Sequence, residues 1–196
     1  MQFKTKALVA ALLIAGGTSG PAMADERSVM LGYTCAGCHG TDGSSQGPAT
    51  PTIAGMSKET FVESMKAYQK GERPSTVMAR IAKGYSEEEL NSMAEFFAGK
   101  EFNRVAQEHD AAKASAGAKL HEKYCEKCHE DGGKKDEDGS SVIAGQWMPY
   151  LQFQFADFHS EARPMPKKMA TRVKEMMSEK GEGSIENLVH FYGSQK

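Results

Sequence analysis

The chain has 196 residues, with 24 Lys and Arg against 26 Asp and Glu, a formal charge of −2, and only four cysteines. So even a balance argues against a nucleic-acid partner, and the length suits one large domain or two small ones. No apolar run approaches the roughly 20 residues that a bilayer-spanning helix needs, so no membrane span is expected.

The first residues read as an export signal. Lys4 and Lys6 precede a short apolar run, "ALVAALLIA" (7–15), and "AMA" (22–24) makes a small-residue cleavage site. This is the layout of a secretory signal peptide, so residues 1–24 are expected to be removed and Asp25 to begin the exported chain. Their loss takes away two Lys and no acid, which moves the formal charge to −4. A mildly acidic surface of that kind suits a docked protein partner.

Next comes "YTCAGCHG" (33–40), with Cys35, Cys38 and His39; much later "YCEKCHE" (124–130) carries Cys125, Cys128 and His129. Exported cysteines usually form disulfides. Here each pair is two residues apart and is followed at once by His, which is the attachment motif for c-type haem. The spacing has a chemical reason: two thiols must reach vinyl groups on one edge of a porphyrin while the adjacent imidazole swings beneath it to the iron. A zinc site is the competing reading, but it prefers a second C-x-x-C some 15–20 residues on, and these pairs start 90 residues apart.

Displaced by 90 residues, the chain matches itself: the two motifs coincide, and "IAG" at 53–55 falls on "IAG" at 143–145. After the first motif a loop holds Pro48 and Pro51, and then Phe61, Met65 and Tyr68 mark one face of a helix. Arg73-Pro74 and "MARI" (78–81) follow. Ser86 with Glu89 forms a capping box ahead of a buried stripe of Leu90, Met93 and Phe97, and Gly84 and Gly99 stand where C-terminal caps belong. The polar stretch "NRVAQEHDAAKASAG" (103–117) joins the halves and turns helical as it enters the second.

The second half repeats the order. Its loop "EDGGKKDEDGSSVIAG" (130–145) lacks proline, and the charged run "KKDEDG" (134–139) reads as solvated. Trp147, the only Trp, is expected to pack near the second haem or the seam between the halves. "YLQFQF" (150–155) alternates like a strand, yet Leu151, Phe155 and Phe158 answer Phe61, Met65 and Tyr68, and Pro149 suits a first helical turn. It is therefore assigned as helix. Arg163-Pro164 answers Arg73-Pro74, "MATRV" (169–173) answers "MARI" with a slip of one residue, and Ile185, Leu188, Val189 and Tyr192 make the last stripe. No strand is expected. The fold class is all-α, with a first domain at 25–102, a linker at 103–114 and a second domain at 115–196. Domains of about 80 residues have thin cores, which a covalently held haem would fill out as a large apolar plate.

His39 and His129 each leave one iron face to another ligand. A Met thioether there raises the reduction potential and suits a carrier, whereas an open face suits ligand binding or catalysis. Met78 and Met169 hold matching places, each after a Pro-containing turn and before a basic, apolar helix segment. Met165 competes with Met169, and plain core filling competes with both. His109, His121, His159 and His190 do not recur at the 90-residue offset and read as surface residues. The second nitrogen of each iron-binding imidazole is expected to meet a backbone carbonyl. Pro48 and Pro51 are placed to shape that acceptor in the first loop. The second loop must hold its acceptor differently, so the two haems are expected to differ somewhat in potential.

The segments "IAKGYS" (81–86), "GAKLHEKYCEKCH" (117–129), "AGQWMPYLQ" (144–152) and "RPMPKKMA" (163–170) are more specific than the haem motifs. With them the chain resembles the cytochrome subunit of flavocytochrome c sulfide dehydrogenase, a dihaem class I cytochrome c, over essentially the whole expected mature chain. The resemblance implies two tandem class I cytochrome c domains related by a pseudo-twofold axis, with one covalent haem c each. It implies Cys35 and Cys38 on the first haem with His39 and Met78 axial, and Cys125 and Cys128 on the second with His129 and Met169 axial. It further implies a periplasmic heterodimer with an FAD-bearing sulfide dehydrogenase subunit, from which this chain takes electrons and passes them to a soluble acceptor cytochrome. The chain itself then supplies no acid, base or nucleophile. Consistently, the sequence has no G-x-G-x-x-G opening a strand–helix unit, so a flavin must come with the partner. A free-standing dihaem cytochrome c feeding a terminal oxidase is the alternative. A haem enzyme such as a dihaem peroxidase would need one exchangeable iron face.

Overall fold

The computed structural model describes residues 26–135 and 139–196; the signal-peptide reading of 1–24 and the centre of the charged run at 134–139 lie outside them. Among the described residues the secondary structure is helical. The first half comprises α1 (Glu26–Tyr33), the motif turn α2 (Ala36–His39), α3 (Lys58–Lys70), α4 (Met78–Ile81) running into a 3-10 turn, and α5 (Glu87–Ala98). The second comprises α6 (Ala111–Leu120) running into a π-helical turn (His121–Cys125), the short turn α7 (Glu130–Gly133), α8 (Met148–His159), α9 (Lys167–Lys180) and α10 (Gly183–Ser194).

Local sequence accounts for the helix limits. Ser57 caps α3 by accepting the Thr60 N–H, and Gly71 ends that helix in the left-handed conformation. Ser86 and Glu89 form the expected capping box on α5. Asp110 accepts the N–H groups of Ala112 and Lys113, so α6 starts at Ala111. Pro149 sits in the first turn of α8, where its missing N–H has no intrahelical partner to lose, and the alternating "YLQFQF" is helical as expected.

Each half packs its first helix on its last, α1 on α5 and α6 on α10. Both crossings are close. A Cβ on Gly32 would lie 2.3 Å from the Phe96 ring, and one on Gly117 would lie 2.1 Å from the Asn187 carbonyl oxygen. The halves have separate cores. Leu31, Phe61, Met65, Leu90, Met93, Phe96 and Phe97 fill the first. Leu120, Tyr124, Leu151, Met176, Leu188, Val189 and Tyr192 fill the second. The repeat holds at the level of backbone bonds. Gly43 accepts from Ile53 and Ala54 as Gly133 accepts from Ile143 and Ala144, and Gly55 donates to Phe97 as Gly145 donates to Tyr192.

Polar contacts pin the seam. Thr52 N–H donates to Gln146 Oε1 and Gln146 Nε2 donates back to the Thr52 carbonyl, both at 2.9 Å and buried. Trp147 Nε1 donates to the Ser45 carbonyl at 3.2 Å, so the single Trp lies at the seam between the halves. From the connecting segment, Gln107 donates to the Gln146 carbonyl and accepts the Met148 N–H.

Candidate functional site

Both C-x-x-C-H segments fold into the same turn. The Cys38 and His39 N–H groups return to the Cys35 carbonyl at 3.2 and 2.9 Å, and those of Cys128 and His129 return to Cys125 at 3.1 and 3.0 Å. This puts two thiols and an imidazole on one turn of backbone. All four thiols are free, with the first of each pair half-buried and the second exposed. Burial raises the pKa of Cys35 and of Cys125, so both remain thiols at neutral pH.

His39 is buried, and its Nδ1 donates to the Pro51 carbonyl at 2.8 Å, the acceptor that the proline-bearing loop was expected to shape. That bond fixes the tautomer and leaves the Nε2 lone pair for a metal. Burial lowers the imidazole pKa, against a smaller opposing effect of the Pro51 bond, and so favours the neutral, ligating form. His129 is half-buried at the matching turn.

Met78 opens α4, half-buried and packed on the first core. Met169 is half-buried on the first turn of α9, and Met165 is half-buried in the loop before it. The second core is packed instead by Met148, Met176 and Met177.

Between the halves lies a pair of guanidinium groups from the repeated Arg-Pro dipeptides. Arg73 is buried, rests on the Tyr68 ring at 4.8 Å, and donates to Ser64, to Tyr150 Oη at 2.8 Å and to Gln154 Oε1 at 2.7 Å. Arg163 rests on the Phe158 ring at 4.4 Å and donates to the same Gln154 oxygen at 2.6 Å. Burial, and next the charge of Arg73, pull the Arg163 pKa down to about 10. Among the described residues neither group makes a direct ion pair, the Asp157 charge acts on Arg163 from farther off, and Arg73 Nε is buried without an acceptor. One buried and one half-buried cation thus share a single neutral amide oxygen.

The histidines without a counterpart in the repeat divide. His109 and His159 are exposed, and His190 is half-buried, with its Nδ1 accepting the Asp110 N–H. His121 corrects the sequence reading. It is 3% exposed, bonded through Nδ1 to Tyr192 and through Nε2 to Glu126. Its failure to recur was the wrong signal to weigh, because the residue 90 positions earlier is the core residue Leu31, which marks the slot as buried.

No family model matches the chain. The cytochrome subunit of sulfide dehydrogenase from Chlorobaculum tepidum is 42% identical over 99 residues, which cover 45% of this chain and 89% of that protein. The chain belongs to the class I cytochromes c. The resemblance to a sulfide dehydrogenase cytochrome subunit, read from the motifs, thus has a relative of that name. Cytochrome c4 of Pseudomonas aeruginosa is 28% identical over 170 residues, 81% of this chain and 83% of that one. The solved structure of reduced cytochrome c4 from Pseudomonas stutzeri superposes with a TM-score of 0.74 at 21% identity, over 87% of this chain and 98% of that chain. The cytochrome thus has the expected all-α fold of two tandem class I domains, and its function is electron transfer by covalent haem c.

The residues present fit such a group. Each motif offers two unoxidised thiols, and His39 offers an Nε2 that could take a metal, with its other nitrogen already bonded. Zinc fits less well: no three His, Cys, Asp or Glu side chains gather as a metal site among the described residues. No helix there is long and apolar enough to cross a membrane.

Proposed function

We propose that this cytochrome carries two haems, one per half, and relays electrons from an FAD-bearing sulfide dehydrogenase subunit to a soluble acceptor cytochrome in the periplasm. The observation that carries the reading is the repeated motif turn, with the same backbone bonds at both ends of a 90-residue offset. Cys35 and Cys38 would hold the first haem, and Cys125 and Cys128 the second, as thioethers formed by addition of each S–H across a vinyl group. His39 with Met78, and His129 with Met169, would supply the nitrogen and thioether ligands of the two irons.

Haem iron supplies a one-electron couple. The chain's residues set its conditions. Pro51 orients His39 through the Nδ1 bond, so the ring has little freedom to reorganise when charge changes. The apolar faces of α3 and α5, with Phe61, Met65 and Phe97, keep water from the site. A Met thioether holds the potential in the range of a carrier. Arg73 and Arg163 favour added negative charge near the seam.

Purification of the native protein tests the reading. Intact mass is expected to show two haems per chain, and a flavin-bearing polypeptide is expected to co-elute. A lone dihaem cytochrome would favour the free-standing carrier, a reading supported by the cytochrome c4 likeness along nearly the whole chain. Ready carbon monoxide binding by the reduced protein would overturn a Met assignment.

A further inference from the structure

We propose that His121, Glu126 and Tyr192 form a proton-binding site that loads when the haem of the second half is reduced. The inference rests on the reading of one haem per half.

The site is a chain of bonds from the motif turn to the surface. Tyr192 is buried in the core on which Cys125, the group proposed to join the haem edge, packs. Its hydroxyl lies 3.0 Å from His121 Nδ1. His121 is held between the Tyr192 and Phe191 rings, and its Nε2 meets the Glu126 carboxylate. Glu126 in turn accepts the Asp131 N–H at 3.0 Å and the Gly132 N–H at 3.3 Å, and its side chain is 43% exposed. Partial burial pushes its pKa up. The bonds from His121 and the two backbone N–H groups outweigh that and hold it low, so the carboxylate is ionised. Burial keeps the Tyr192 hydroxyl protonated.

This fixes the hydrogens. With Glu126 an acceptor, Nε2 carries the hydrogen of the neutral ring, and Nδ1 accepts from the Tyr192 O–H. When His121 gains a proton, Nδ1–H becomes a donor to the Tyr192 oxygen. The Tyr192 O–H is then released and is free to turn toward the neighbouring Cys125 sulfur. A proton on His121 thus frees a positive O–H dipole to face the haem edge, which favours an added electron. By linkage the electron favours the proton. The balance is one electron to iron and one proton from solvent to His121, and no bond to the haem breaks.

Several of the other charged groups around the site are already engaged. From α9, Arg172 pairs with Glu175 and donates to the Lys123 carbonyl, and Glu179 pairs with Lys123. Beside α7, Glu130 pairs with Lys135, and Asp131 meets Glu126 only through its backbone. On α10, Glu186 pairs with Lys113, and His190 serves Asp110 N–H. Lys119, Glu122 and Lys127 lie on the same segment as His121. In the first half, Leu31, Ala36 and Phe97 stand at the three corresponding places, and none of them titrates.

Redox titration of the two-haem protein between pH 5.5 and 8.5 tests this, after intact mass has counted the haems. One potential is expected to fall with rising pH, with a slope tending to about 59 mV per tenfold change in proton concentration, the one-electron value. The other is expected to stay nearly flat. His121→Leu should abolish that slope, and Tyr192→Phe should cut it at least twofold, each taking the residue that the first half already uses. If His121→Leu does not load haem, Tyr192→Phe and Glu126→Gln read the slope. Equal slopes in both transitions, or a slope that survives these changes, would overturn the site. A chain that carries fewer than two haems overturns the one-haem-per-half reading, and is seen in the mass before any titration.

Discussion

The two halves share a chain path and differ in what they bury beside it. In the first, Leu31 and Phe97 close an apolar core behind the motif, and Ala36 follows Cys35. In the second, His121, Tyr192 and Glu126 stand at those places and bond to one another. Phe97 and Tyr192 occupy the same backbone position, accepting from Gly55 and Gly145. One hydroxyl and one imidazole therefore turn an inert wall into a polar network. The lesson is that duplication preserves backbone bonds while side chains specialise behind them. An unpartnered imidazole in that wall would cost on the order of 1–3 kcal/mol, so the three polar residues have to appear together.

The harshest way to break the comparison is to remove one attachment. Replacing Cys125 and Cys128 by Ser is expected to lower the haem count from two to one, since the first half has its own core and motif turn. The second half, deprived of its apolar plate, should lose most of its helical signal on mild heating. Intact mass and circular dichroism check both points. Loss of both haems would show that the halves do not fold apart.

The axial thioethers come next. Met78→Ala should lower one potential by on the order of 100 mV and leave the other in place, a modest part of the roughly 0.8 V that axial ligands command. Met169→Ala should do the same to the other haem. Met165→Ala serves as the control, and a shift there with none at Met169 would move the assignment. Spectroelectrochemistry reads all three.

The seam is what lets two unlike halves act as one protein. Gln146→Ala removes both reciprocal bonds to Thr52 and leaves a buried N–H and carbonyl unmet, at a cost of about 2 kcal/mol. Thermal unfolding should fall by several degrees and separate into two transitions. A single unshifted transition would show that the Trp147 and Arg73 contacts suffice.

Much of this was legible in the sequence, for identifiable reasons. The capping box at Ser86 and the Pro149 turn are local chemistry, so they read directly. The 90-residue offset carried the helical reading across the alternating "YLQFQF", which pattern alone would have made a strand. The partner of His39 could be anticipated because proline narrows where a loop can place its carbonyl. The burial of His121 could have been read from Leu31 at the 90-residue offset, but its bonds could not, because the chain brings Tyr192 and Glu126 to it only when folded. Nor was the sharing of Gln154 by Arg73 and Arg163 legible, which depends on how the loop after α3 meets α8 of the other half.

The mildest test isolates the carboxylate. Glu126 has its folded pKa held below the unfolded value, so its contribution to stability is present above the unfolded carboxylate pKa, near 4.3. That contribution is lost as pH falls through the folded value. The unfolded chain binds more protons in that window, so stability must rise with pH across it. With the side chain 43% exposed, solvent screening limits the effect to less than about 1 kcal/mol. Glu126→Gln should therefore weaken the second half slightly at pH 7 and make a smaller difference near pH 3. Ala36→Glu in the first half should confer no such acid dependence, because Leu31 offers its carboxylate no imidazole. Urea unfolding at the two pH values, followed through each haem band, would show it. An equal offset at both would mean that the residue acts by packing alone.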